Sequence, residues 1–223
     1  MKTLFFILLL ASGSAFSTSE NVKRDIASVR QTLRVEHARE LMGPSYKRSI
    51  VSKFEKKIDL ENNILETVKS RLPKAFKNKA NAITRTIIDE SMKNSLDPYF
   101  VMAVISGESS FNPRAVGPVG EIGMMQIRPS TGKWMAGIVK SKWRGERTLR
   151  DPVENIKLGV AYLSWLREKF EGHGQLYLAA YNMGPGSVKK ALSKNIYPKD
   201  YPIHVMKRYI AFYKEIGRQN DTL

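Results

Sequence analysis

A glutamate stands where an apolar helix stripe runs out. Val101, Val104, Ile105 and Glu108 fall at i, i+3, i+4 and i+7, which puts all four on one face of a helix. A carboxyl buried there without a partner keeps its proton to higher pH, because burial penalises the charged form. Such a group suits a general acid working near neutral pH. The same spacing also fits a glutamate at an exposed helix end, and spacing alone leaves both readings open. Directly after it come Ser109-Ser110-Phe111-Asn112-Pro113, a loop from Arg114 to Glu121, and then Gly123-Met124-Met125-Gln126-Ile127-Arg128-Pro129. Gly123 allows the backbone to approach a ligand closely. The Gln126 amide both donates and accepts, which suits a sugar ring carrying hydroxyl and acetamido groups. Met124 and Met125, taken alone, read as core filling.

These residues must be positioned by helices. Asp97-Pro98 reads as an N-cap followed by proline at the first helical position, and it opens the helix that ends near Glu108. Asp151-Pro152 repeats the signal, with Glu154 as the expected capping-box partner and Ile156, Val160, Leu163 and Phe170 along the helix before Gly172. Ile83, Ile87 and Ile88 mark a helix after Ala80. Gln175 to Tyr181 is short and apolar and is broken by Gly184-Pro185-Gly186, and the last helix should bury Val205, Tyr209, Phe212 and Ile216. Upstream, Val22, Ile26, Val29 and Leu33 form one stripe that ends at Gly43-Pro44. Ile50, Phe54, Ile58, Leu65, Val68 and Leu72 form a longer one, stopped by Pro73. No alternating stretch is long enough for a strand, so the expected fold is all-α. The two upstream amphipathic helices need a covering surface. A hairpin of their own, the domain that follows, a membrane surface and a protein partner would each supply one.

Composition narrows the setting. The 223 residues are 42% hydrophobic and 26% charged, as in a soluble globular protein rather than a disordered one. Lys2 precedes the apolar run Leu4 to Ala11, too short to span a membrane comfortably, and Gly13 and Ala15 follow with signal-peptidase spacing. Residues 1–15 therefore read as a cleaved secretory signal, and the expected location is the periplasm or the medium. With no cysteine there is no disulfide, and no thiol after the signal to carry a lipid, so no covalent membrane anchor is expected. A formal charge of +16 and a pI near 10 call for a polyanionic partner. Export argues against nucleic acid, and no base-stacking or groove-reading motif is present. The carboxylates of a bacterial cell wall fit better.

Three blocks, in order, resemble the catalytic domain of the soluble lytic transglycosylases, a lysozyme-like family. They are ESSFNP from Glu108, GMMQIRPST from Gly123, and Ala180-Tyr181-Asn182-Met183-Gly184-Pro185-Gly186. Asn155-Ile156, Gly159 and Tyr162-Leu163 fit the helix that usually precedes the third block, and the likeness runs from about Ala80 to Tyr213. It implies a lysozyme-like catalytic domain over 80–223, with 16–79 as a helical N-terminal extension outside the resemblance. The implied substrate is the glycan strand of peptidoglycan, cut between N-acetylmuramic acid and N-acetylglucosamine. Glu108 would act as acid and then base, closing a 1,6-anhydro ring without water, so one carboxyl suffices. Tyr181 would face the charge developing at the anomeric carbon. Ser109, Met124, Met125, Gln126 and Asn182 complete the implied sugar-binding set. No metal or cofactor is implied, and three His and no Cys offer a metal little.

The chain departs from the family pattern at three positions. Gly117 stands where serine is frequent, Glu121 where a small residue is usual, and His204 where an active-site tyrosine is usual. His204 either keeps that tyrosine's polar contact or is a helix-end histidine. Glu121 adds a second carboxyl able to position water, which keeps lysozyme-type hydrolysis of the same bond as an alternative. A catalytically idle wall-binding protein is another.

Overall fold

The computed structural model describes residues 19–54 and 59–220, with side chains placed from Ser28 onward to Arg218. The signal expected at residues 1–15 lies outside them. Eleven α-helices follow one another in the described residues: α1 (Ser19–Met42), α2 (Ile50–Phe54), α3 (Leu60–Arg71), α4 (Ala80–Lys93), α5 (Pro98–Ser109), α6 (Pro129–Ile138), α7 (Glu146–Arg150), α8 (Pro152–Lys169), α9 (Gly174–Met183), α10 (Pro185–Leu192) and α11 (Asp200–Asn220). Among them β-structure is limited to isolated bridges, Val116 with Ile122, Ile122 with Ile127 and Arg144 with Glu146, so the expected all-α class holds.

Helix α5 runs through the middle, packed chiefly on α11 and also on α4. Every residue from Pro98 to Ile105 is buried, which is why this segment is apolar on all sides rather than along one stripe. Each fully buried Val, Ile, Phe or Met there contributes about 1.5–3 kcal/mol. Its start is set by Asp97, whose Oδ1 accepts from the Tyr99 N–H at 2.9 Å. Asp151 caps α8 in the same way, accepting from the Val153 and Glu154 N–H groups. Glu154 does not return the bond expected of a capping box. Its carboxylate accepts from the Ser141 hydroxyl at 2.7 Å, because the loop after α6 brings that hydroxyl within reach. Val205, Tyr209, Phe212 and Ile216 are buried along α11.

The upstream helices pack on this body, and their buried side chains join one core with those of the later helices. The face of α1 that turns inward differs from the apolar stripe. Val29 is 58% exposed, while Arg34, His37 and Ala38 are at most 4% exposed. The side chains of Val22 and Ile26 lie outside those described. Two polar residues can take the inward face because the core supplies their partners, which removes most of the cost of burying them. Arg34 donates to the Tyr213 hydroxyl at 3.1 Å, and His37 bonds Tyr177 at 3.1 Å and the Asp97 N–H at 3.0 Å. Glu40 adds a paired contact with Arg167 of α8, at 2.6 Å for the closest atoms. The second stripe is divided rather than continuous. Asp59 accepts from the Asn62 N–H and starts a separate helix, α3, and the buried positions are Val51, Ile64, Val68 and Leu72. Ile58 falls outside the described residues.

Candidate active site

Glu108 lies in the last turn of α5, where a cleft of 530 Å³ opens. The chain leaves the helix sharply, with Ser110 and Phe111 both left-handed at φ 50° and 64°, and Phe111 is fully buried as a plug. Burial raises the Glu108 carboxyl above the ordinary range, and the like charge of Glu121 pushes the same way. The Tyr201 hydrogen bond and the Arg208 charge pull it down without prevailing. The negative pole of α5 further disfavours an anion at this position. The Tyr201 hydroxyl donates to Glu108 Oε1 at 2.5 Å.

The second wall is the turn from Gly123 to Gln126. Gly123 adopts φ +83°, and a Cβ there would sit 2.5 Å from the Leu149 carbonyl, so only glycine fits. Asn155, fully buried in α8, clamps this turn: its amide donates to the Ile122 and Leu149 carbonyls, and its oxygen accepts from the Met125 N–H at 2.8 Å. Gln126 is left-handed at φ 47° despite its side chain, a strained geometry of the kind that gathers at ligand sites. Its amide nitrogen is spent on the Ala115 and Gly123 carbonyls, which leaves its oxygen as the acceptor for a ligand. Tyr181 donates to the Met125 carbonyl at 2.7 Å. With that proton committed, the Tyr181 oxygen offers only lone pairs to the cleft. Burial, and then the Glu108 charge, raise its hydroxyl well above the ordinary tyrosine range, so it stays neutral.

The third wall is the loop that carries Glu121. Burial works against its ionisation, but N–H groups and Arg128 together prevail and hold the carboxyl below its usual range. One oxygen accepts from the Val119 N–H at 3.1 Å and the other from Arg128 Nε at 3.1 Å. This explains Gly117. A Cβ at that position would lie 2.5 Å from Glu121 Oε2 and 2.7 Å from Gln126 Oε1. The Glu121 carboxylate, held by Val119 and Arg128, and the Gln126 oxygen together take up the space in which a serine side chain at 117 would stand.

Of the residues expected at the site, Glu108, Gln126, Tyr181 and Asn182 meet around the cleft. Ser109, Met124 and Met125 do not line it. The Ser109 hydroxyl donates to the Met124 carbonyl at 2.7 Å, and both methionine side chains are fully buried in the core, the outcome their chemistry alone suggests. They shape the turn from behind. His204 is corrected: it is exposed, and the tyrosine on Glu108 is Tyr201, one helical turn earlier on α11. The linear text missed it because a one-turn offset at a helix start is invisible to motif spacing. It also passed over Tyr162, Ser130, Thr131 and Arg128 as cleft residues. Among the described residues no cluster of His, Asp or Glu could hold a metal ion.

Comparison with known proteins places the chain in a family. The sequence model of the family described as Transglycosylase SLT domain matches residues 85–203, more than half of the chain. A soluble lytic murein transglycosylase of Salmonella typhimurium is 29% identical over 139 residues, covering 56% of this chain and 22% of that protein. A transglycosylase of the enterobacteria phage PRD1 is 35% identical over 134 residues, covering 59% of this chain and 44% of the phage protein. An inactive mutant of the lytic transglycosylase Slt from Pseudomonas aeruginosa superposes with a TM-score of 0.56 at 22% identity, over 85% of this chain and 37% of that one, a likeness of fold. The chain spans about a fifth of the length of the first soluble relatives it matches, 20% and 22%.

Proposed function

Because the chain belongs to the transglycosylase SLT domain family, we propose that it is a lytic transglycosylase of peptidoglycan glycan strands with Glu108 as the catalytic residue. The observation that carries this reading is a single raised carboxyl, half-buried at a helix end, facing a cleft whose other carboxyl is tied down. Protonated Glu108 donates to the glycosidic oxygen between N-acetylmuramic acid and N-acetylglucosamine, and the C1–O bond breaks. The muramic C6 oxygen then bonds to C1 while its proton passes to the Glu108 carboxylate, which restores the acid. No water enters and the product is a 1,6-anhydro end. The lone pairs of Tyr181 lie toward the positive charge that develops at C1, and Tyr201 steadies the carboxylate between its two duties. The Gln126 oxygen and Asn182 hold the sugar, with no metal or cofactor in the scheme.

Residues 80–223 are the catalytic unit in this reading, 16–79 a helical extension, and 1–15 a leader that sends the protein to the periplasm or beyond. Hydrolysis by a water on Glu121 is disfavoured because N–H groups and Arg128 hold that carboxyl below its usual range, which makes it a weak base for activating water. The deciding experiment is mass spectrometry of the fragments released from purified sacculi without added metal. Fragments with 1,6-anhydro ends are expected. Fragments one water heavier would move the assignment to a lysozyme-type hydrolase, and no release at all would leave an idle wall-binding protein.

A further inference from the structure

Aromatic side chains continue from the rim of the cleft onto the outer surface. Tyr162 and Thr131 line the cleft. Thr131 lies one helical turn before Trp134 on α6, and the Tyr162 ring meets Trp134 edge to face, with centroids 6.3 Å apart and planes at 76°. Trp165 meets Trp134 at 4.7 Å and 87°, and runs nearly parallel to Tyr162 at 6.1 Å and 11°. Tyr162 in turn touches Tyr181 at 5.6 Å. The row thus leads from beside Glu108 to Trp134, which is 43% exposed although two neighbours fix its ring. The Lys169 ammonium sits 4.7 Å above Trp165, so that ring is already engaged, and Trp134 carries the open indole surface.

We propose that Trp134, braced by Tyr162 and Trp165, is a distal stacking subsite for a glycan strand, beyond the sugars engaged at Glu108. The inference rests on the glycan-strand reading of the cleft. A β-1,4-linked hexosamine chain is extended and presents C–H bonds on its ring faces. The negative face of an indole attracts those hydrogens, while the flat ring excludes water from them. A pre-fixed indole loses little conformational freedom when it binds, which makes it an efficient contact at the end of a polar groove. Continuity decides the ligand: Tyr162 belongs both to the cleft and to the bracing of Trp134, so a strand leaving the cleft along α6 runs onto the indole.

The test is calorimetric titration of the Glu108→Gln protein with the trimer and hexamer of N-acetylglucosamine, in the presence and absence of a change at Trp134. Trp134→Ala is expected to weaken hexamer binding about tenfold and to leave the trimer within about twofold. Trp134→Tyr should restore most of the loss, and Trp134→Leu should not. Unchanged hexamer affinity in Trp134→Ala overturns the subsite while leaving the glycan reading standing. Equal losses for both lengths also overturn it, making Trp134 a support of the cleft. Full rescue by leucine overturns it in favour of a general apolar contact, such as protein docking that includes the exposed Ile138 one turn further on. If neither oligomer binds before Trp134 is changed, the glycan-strand reading itself fails and this inference falls with it.

Discussion

Asp97 and Glu108 stand at opposite ends of α5, and each is met by tyrosine hydroxyls from α11. At the start of the helix, Asp97 accepts from the Tyr99 N–H and from the hydroxyls of Tyr209 and Tyr213, both at 2.7 Å, with Arg34 Nε 3.8 Å away. The positive pole of α5 also favours an anion there. At the end of the helix, Glu108 has one tyrosine donor, a like charge nearby and the negative pole. The same pair of helices therefore makes a filled structural acceptor at one end and a carboxyl that keeps its proton to higher pH at the other. What separates them is the number of donors and the sign of the local field, not the side-chain chemistry. His37 belongs to the first region. The Asp97 N–H points at its Nδ1, so the proton sits on Nε2 and faces the Tyr177 hydroxyl. Burial holds the ring neutral, and the Arg167 charge pushes the same way.

The comparison breaks most sharply if the two ends respond alike. Glu108→Gln removes the proton and should lower glycan cleavage by about a hundredfold to ten-thousandfold. Its melting temperature should hold or rise above neutral pH. A raised folded-state pKa means that stability is lost as pH climbs from the unfolded-state pKa through the folded one, and an amide removes this penalty. A marked fall in melting temperature, read by circular dichroism, would make Glu108 structural. Asp97→Ala should do the reverse. It strands two tyrosine hydroxyls, one N–H and a buried guanidinium, at a cost of about 3–5 kcal/mol. Calorimetry should show melting lowered by roughly 10 °C, with the pH profile of residual activity unmoved. A shift under a degree would show that this end of α5 is not held by Asp97.

A smaller effect sharpens the account of the cleft. Gly117→Ser forces a side chain against the Glu121 carboxylate and should cost about 1–3 kcal/mol, along with much of the activity. Adding Glu121→Ala removes one of the two contacts and should recover part of both, and a double variant no better than the single one would show that the two positions are independent. The smallest changes are in pH dependence. In the proposed reaction cleavage needs protonated Glu108, so it should fall as pH rises through that group's pKa. The Glu121 charge raises that pKa, so Glu121→Gln should move the alkaline limb to lower pH. The Tyr201 bond lowers it, so Tyr201→Phe should move the limb to higher pH. Rate profiles that shift in the same direction for both variants would contradict the balance drawn for Glu108.

Local features were legible in the linear text because their causes are local. The caps at Asp97 and Asp151 follow from contacts within a few residues, and helical periodicity marked the face of α11 that would be buried and the helix that carries Glu108. Gln126, Tyr181 and Asn182, named from two of the motif blocks, line one cleft with Glu108. The failures share a different cause. The inward face of α1 could not be read from apolar spacing, since Arg34 finds its acceptor 179 residues away on Tyr213 and His37 its partner 140 away on Tyr177.

Three sequence blocks determined the family resemblance and the candidate acid, and helical spacing determined the all-α class. Only the tertiary structure decided that Tyr201 and not His204 meets Glu108, across a separation of 93 residues. It also decided that Gly117 and Glu121 share one volume, and that the upstream helices share a core with the rest. Burial and hydrogen bonding depend on which surfaces meet, and chain order does not encode that at a one-turn resolution.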